Sequence, residues 1–298
     1  MLLKVSFTDA VLALLMWFGQ LPSAGPAVGK RLLVKVILVD IGICLSWNGA
    51  YLWHYRSASL PYIVAWWMST FSTLQLVIVS NILLVTLLWT DFLYGLINER
   101  VRLMIASILE VDKNTQRWNN GPADRQFILT HIAHQLSGLQ VHHSALTESI
   151  RNIVRFYNFP LALILLYEFV IMISEIFYAY TSIVQGIRQG DEFFLAKYTS
   201  SFIFATFQAI QFYYIVSACA DITEQAENTG VLLNEFLQTD VEPTVDRCIE
   251  LFTIDLLHQD FKINNCGLYY IDYTLLFSMI ATITSYLIML VQFQLAVV

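Results

Sequence analysis

Six stretches of this chain, residues 5–21, 33–55, 62–90, 160–185, 198–220 and 270–293, are apolar over nearly their whole length. One helical crossing of a hydrocarbon core about 30 Å thick needs roughly 20 such residues. A membrane barrel would show short alternating segments instead, and backbone groups in lipid must bond within their own helix or in a closed sheet. Composition agrees: 57% of the 298 residues are hydrophobic and 13% charged, too few charges to cover the surface of a soluble domain. The expected fold is all-α, a polytopic helical membrane protein forming a single transmembrane domain.

Assigning alternate loops to opposite sides puts Lys30, Arg31, Lys35, Arg100, Arg102, Lys113, Arg117, Arg125, Arg151, Arg155, Arg247 and Lys262 on one side. Only Arg56, Arg188 and Lys197 lie opposite, with Lys4 left out at the N-terminus. By the positive-inside rule the richer side is cytoplasmic, so the C-terminus at Val298 is expected outside. The stretch 5–21 is short and contains Asp9; it reads as a marginal span, although Ser23-Ala24-Gly25 after it faintly resembles a signal-peptide cleavage region.

Residues 91–159 and 221–269 form large inner segments that read as helical. Leu129, Ile132, Leu136, Leu139, His143, Leu146, Ile150 and Ile153 recur in three- and four-residue steps, which predicts a helix running up towards Pro160. Asn119-Asn120-Gly121-Pro122 marks a turn before it. The four cysteines, Cys44, Cys219, Cys248 and Cys266, lack metal-ligand spacing and are expected as reduced thiols.

Three groups of residues are candidate sites. His131, His134, His142 and His143 could share a helix face, but no Cys or carboxylate completes a ligand set, so no metal is expected. Asp40, Glu168 and Glu175 fall inside spans, where an ionised group costs several kcal/mol unless it faces water or a partner. They serve either ligand binding or ion passage, or are buried against hydroxyls and amides of neighbouring helices. Aromatic residues crowd the outer halves of several spans, among them Trp47, Tyr51, Trp66, Trp67, Phe177, Tyr178 and Phe202. They form an interfacial belt or line a pocket for a small, partly apolar ligand.

Enzyme signatures are missing: no phosphate-cradling Gly-rich loop, no Gly-x-Ser-x-Gly elbow and no His-Glu-x-x-His pair occur. No catalysis, cofactor or nucleic-acid partner is expected. The Asp-Arg-Tyr and Asn-Pro-x-x-Tyr motifs of G-protein-coupled receptors are absent too, as are the paired interrupted helices of a secondary transporter.

The C-terminal segment reads Phe-Lys-Ile-Asn-Asn-Cys-Gly-Leu-Tyr-Tyr-Ile-Asp from Phe261 to Asp272, then an apolar run, then Ser285-Tyr286, five apolar residues and Gln292-Phe293. It resembles the signature of insect gustatory receptors, whose last helix carries Thr-Tyr, five mostly hydrophobic residues and Gln-Phe after a segment containing a Gly and an Ile-Asp-like step. Gly267, Ser285, Tyr286, Gln292 and Phe293 are the matching positions, Ser285 standing where the family usually has Thr. Members usually have seven spans, so the chain resembles one lacking its first helix.

The resemblance implies a taste receptor in the plasma membrane of a chemosensory neuron, acting as one subunit of a ligand-gated, non-selective cation channel. It implies a homo- or hetero-tetramer with other gustatory receptors, a small-molecule tastant (bitter, sugar or contact pheromone) and membrane lipid as partners. It also implies an outer C-terminus and a pore lined by the last helix, with Met289, Gln292 and Phe293 at the gate. A non-conducting accessory subunit and an odorant receptor are the alternative readings.

Overall fold

The computed structural model describes residues 26–54, 59–118, 122–189, 194–236, 243–259 and 261–297. The first helical element begins as α1 (Pro26–Val34), passes through a π-helical stretch (Lys35–Ile43) and ends as α2 (Cys44–His54). Three long helices follow, α3 (Leu60–Trp118), α4 (Pro122–Gln189) and α5 (Phe194–Phe236), then the shorter α6 (Pro243–Gln259). A two-stranded hairpin, β1 (Asn264–Asn265) and β2 (Tyr269–Tyr270), leads into the last helix, α7 (Tyr273–Val297). Five described helices are long and apolar enough to cross a membrane, and the last begins only at Tyr273, after Tyr270 of β2, where the sequence suggested a span from 270. The stretch 5–21 and the turn signal at 119–121 lie outside the described residues.

One expectation changes. The periodic stretch before Pro160 and the span after it are a single helix of 68 residues, about 100 Å at 1.5 Å per residue. Proline removes one backbone donor. Membrane helices tolerate that loss because neighbouring groups satisfy the freed carbonyl.

The chain divides into two units. Among the described residues, unit 1 comprises Leu87–Phe156 and Cys219–Asn264; unit 2 comprises those up to Thr86, Tyr157–Ala218 and those from Asn265 on. Unit 1 overlaps the two long segments between the apolar stretches, residues 91–159 and 221–269, but ends at Asn264, before the hairpin turn. Its core joins four helices: Val101, Met104 and Ile108 of α3, Leu129, Ile132 and Leu136 of α4, Leu233 of α5, and Val245, Ile249 and Phe252 of α6. The α4 residues belong to the stripe the periodicity predicted, with His143 buried in it and His131, His134 and His142 on its exposed side.

Several buried polar side chains in unit 1 are matched across helices. Tyr94 Oη pairs with Thr147 Oγ1 at 2.7 Å, and Asn98 donates to the Gln225 carbonyl and accepts from Thr229 at 2.6 Å. At the end of α6, Asp255 accepts from Ser144 and Gln140, and Gln259 donates to Ser144 at 2.8 Å. Burial alone would raise the Asp255 carboxyl, but hydrogen bonds from Ser144, Gln259 and Gln140 outweigh it and hold the group below its ordinary value.

Unit 2 carries the aromatic core of Val39, Trp47, Val77, Phe204 and Phe207. Its hairpin turn is tight: Leu268 N–H donates to the Asn265 carbonyl at 2.9 Å, while Cys266 and Gly267 both have positive φ, +53° and +72°. That is the pattern of a type I′ turn, which favours glycine. No atom lies within 4 Å of where a Gly267 Cβ would stand, so Gly267→Ala meets backbone strain alone. The expected loss is roughly 1–2 kcal/mol of hairpin stability, read as a lowered melting temperature of the detergent-solubilised chain. Next to the turn, Asp272 Oδ1 accepts from the N–H groups of Thr274 and Leu275 at 2.8 and 3.1 Å, capping α7.

Candidate functional site

An ion pair inside an apolar helix requires a backbone that brings its partners to one face. The π-helical stretch does this for Lys35 and Asp40, because i→i+5 bonding aligns residues five apart, where an α-helix would splay them. Lys35 Nζ lies 2.8 Å from Asp40 Oδ1, and the side chains are only 1% and 9% exposed. Lys35 was counted from sequence among the loop cations. It belongs instead to the helix interior, held there by charge pairing.

Two further helices close on this pair. Asn81 of α3 donates to Asp40 Oδ2 at 2.7 Å and accepts from Lys35 Nζ. Gln211 of α5 donates to Asp40 Oδ1 at 2.6 Å. Asp40 therefore takes three donors from three elements, as a buried carboxylate needs. Glu168 of α4 is 4% exposed and within electrostatic reach of Lys35, and its Oε2 has no hydrogen-bond partner. Glu175, the third intramembrane acid, bonds Ser201.

Along the same first helix, three of the seven aromatic candidates meet. Tyr51 stacks on Trp66 with ring centroids 3.3 Å apart, and Trp47 contacts Trp66 at 4.7 Å and stacks on Phe204 at 4.3 Å. Asn48 Oδ1 accepts from Trp66 Nε1 at 3.1 Å and from Thr70 at 3.4 Å, fixing the indole. The rings fill their space: Trp47 and Tyr51 are 4% and 6% exposed. Tyr178 lies within electrostatic reach of Tyr51. Trp67, Tyr178 and Phe202 are about half exposed, and Phe177 is half-buried; their exposure suits an aromatic belt. The sequence reading grouped all seven by depth alone and missed Asn48, Asn81, Lys35 and Gln211. The available signal was a cation and an anion five residues apart in one apolar stretch, with amides inside two others.

The last helix has a different environment. Only 6% of the most apolar window of α7 is buried, against 61% for α5. Met289, Gln292 and Phe293 are exposed together near its end, and Ser285 is exposed with its hydroxyl bonded to the Ala281 carbonyl at 2.9 Å. Tyr286 meets Phe169 of α4 edge-on at 6.4 Å. Gly267 sits in the hairpin turn, so the motif positions fall on the two features that set how α7 starts and what it presents.

Comparison with known proteins follows this architecture. The family described as 7tm Chemosensory receptor matches residues 7–297. Among curated proteins, the chain is 24% identical over 162 residues to gustatory receptor 28b of Drosophila melanogaster, covering 52% of this chain and 33% of that protein. It is 28% identical over 95 residues to gustatory and pheromone receptor 33a of the same organism, covering 29% and 20%. The aligned parts thus span a third or less of the relatives' own lengths. With a match over nearly all of its residues and an all-helical architecture of apolar spans, the chain belongs to the 7tm chemosensory receptor family, whose gustatory members are receptors and not enzymes.

Proposed function

We propose that this chain is a gustatory receptor subunit of a ligand-gated, non-selective cation channel, assembled as a tetramer in the plasma membrane of chemosensory neurons. The observation that carries the reading is α7, an apolar helix with almost no cover from the described residues of its own chain. Copies packed around a common axis would cover one side of it and leave another to line a pore. Phe293 and Met289 then form an apolar constriction that closes by dewetting, and Gln292 offers an amide once it widens.

The tastant, a bitter, sugar or contact-pheromone molecule, binds at the aromatic stack of Trp47, Tyr51 and Trp66, with Trp67, Phe177, Tyr178 and Phe202 around it. That stack is closed, so a ligand must part the rings to enter. Binding is thereby coupled to movement of helices that Asp40 joins beneath it. A ligand biases the gate only through tighter binding to the open state. The orientation with an outer C-terminus rests on the charge asymmetry, which survives the removal of Lys35 from it.

Whole-cell current during a panel of sugars, bitter compounds and cuticular lipids tests this reading, with the chain expressed alone and beside a complete gustatory receptor. An evoked cation current supports it; no current in either setting, with the protein at the surface, overturns it. Currents that change only on co-expression would favour an accessory subunit. At the gate, burying a phenylalanine ring is worth roughly 1.5–3 kcal/mol. Phe293→Ala is accordingly expected to shift the closed–open balance about tenfold or more towards open, seen as raised basal current.

A further inference from the structure

Unit 1 carries a half-open pocket of about 450 Å³ between the middle of α4, α5 and the end of α6. That volume lies within the usual range for small-molecule sites. His143 and Ala226 form its buried floor, Leu256 and Phe261 give it apolar wall, and Glu227 and Asn234 stand exposed at its rim.

Its polar atoms are unsatisfied. His143 is 1% exposed, and neither Nδ1 nor Nε2 has a partner at hydrogen-bond geometry, although the Gln259 side chain lies near enough to act on the ring; Tyr94 at 5.0 Å and Phe252 at 5.7 Å pack against it. Thr253 Oγ1 and Gln259 Oε1, also lining the cavity, are buried and unpaired. The Gln259 side-chain NH2 donates to Ser144, and the Gln259 backbone carbonyl accepts from Arg151 at 2.9 Å. Buried polar atoms are nearly always paired, and each such orphan costs about 1–3 kcal/mol. Three side chains with unpaired buried atoms line one pocket, with Gln259 beside His143, and a bound hydroxyl would give them a partner.

We propose that this cavity is a ligand site within unit 1 for a small aromatic or aliphatic amine that carries a hydroxyl group. The hydroxyl pairs with His143 and Thr253, the apolar body packs on Leu256 and Phe261, and the ammonium faces Glu227. Among the described residues no Lys or Arg lines the pocket, while Glu227 stands at its rim and Asp255 acts on His143 from α6; anions are therefore disfavoured. On the orientation proposed above, the site faces the cell interior and would sense an internal solute, independently of the tastant.

The test uses 4-hydroxybenzylamine, benzylamine and 4-hydroxybenzoate as probes against the full chain in lipid nanodiscs, with affinities from isothermal titration. The hydroxyamine is expected to bind, and both loss of the hydroxyl and replacement of the ammonium by carboxylate should weaken binding by at least about tenfold, because polar groups are left unpaired or like charges meet. His143→Leu removes the orphan nitrogens and should abolish binding without lowering the melting temperature. Gly230→Gln should also abolish it by filling the cavity; a Cβ there meets only Leu256 Cδ1 at 3.8 Å, an ordinary contact, so that variant folds. Absence of hydroxyamine binding, equal affinity for the three probes, or binding that persists in either variant would overturn the proposal.

Discussion

Asp40→Ala is expected to lower the stability of the chain by about 3–5 kcal/mol, the typical cost of leaving one member of a buried ion pair uncompensated. The change strands Lys35, 1% exposed, with Asn81 as its remaining hydrogen-bond partner, and frees the Gln211 amide in an apolar interior. Replacing both charges, as in Lys35→Met with Asp40→Leu, should recover most of the loss, since a well-packed apolar pair often equals a buried salt bridge. Thermal melting of the solubilised chain, followed by size-exclusion monodispersity, measures both. A single variant within 1 kcal/mol of wild type, or a double variant as unstable as the single, would show that the pair does not hold these helices together. Current recordings add a second readout: if Asp40 couples the aromatic stack to the gate, the stable double variant should respond poorly to ligand despite normal folding.

Phe252→Ala carries the other large effect, about 3–5 kcal/mol from lost burial and the cavity left behind. Phe252 is 0% exposed, packed in the unit 1 core with Val245 and Ile249 and edge-on to His143. The same substitution at Phe277, 69% exposed on α7, should cost less than about 0.5 kcal/mol in a monomeric, detergent-solubilised chain. Comparing the two melting temperatures in detergent and after assembly in membranes is informative. If Phe277→Ala becomes costly only in the assembled protein, α7 is covered there by other copies; if it stays harmless, its face meets only lipid.

The parts of this fold legible in sequence are those governed by one-dimensional periodicity. Runs of about 20 apolar residues located the spans, and the three- and four-residue steps from Leu129 to Ile153 located a core-facing helix stripe, because burial follows the helical repeat regardless of what lies opposite. The hairpin around Gly267 was not legible: residues 221–269 read as helical throughout, and Gly267 entered only as a position of the resemblance. His143 stood out as the polar member of its stripe, but the cavity it faces was not visible. Cavities arise where side chains from several helices fail to meet, and no single segment encodes that.

Chain composition and periodicity by themselves determined that this is a helical membrane protein with apolar spans, and located one core-facing stripe from Leu129 to Ile153. Tertiary structure alone decided that Lys35 is an interior cation and not a loop charge, that Asp40 collects Asn81 and Gln211, and that Trp47, Tyr51 and Trp66 stack while Trp67 and Phe202 face outward. The reason is the same in each case. Hydrophobic partition depends on a residue's own neighbours along the helix, whereas pairing of charges, amides and rings depends on which helices adjoin, and that choice is made by packing among segments far apart in the chain.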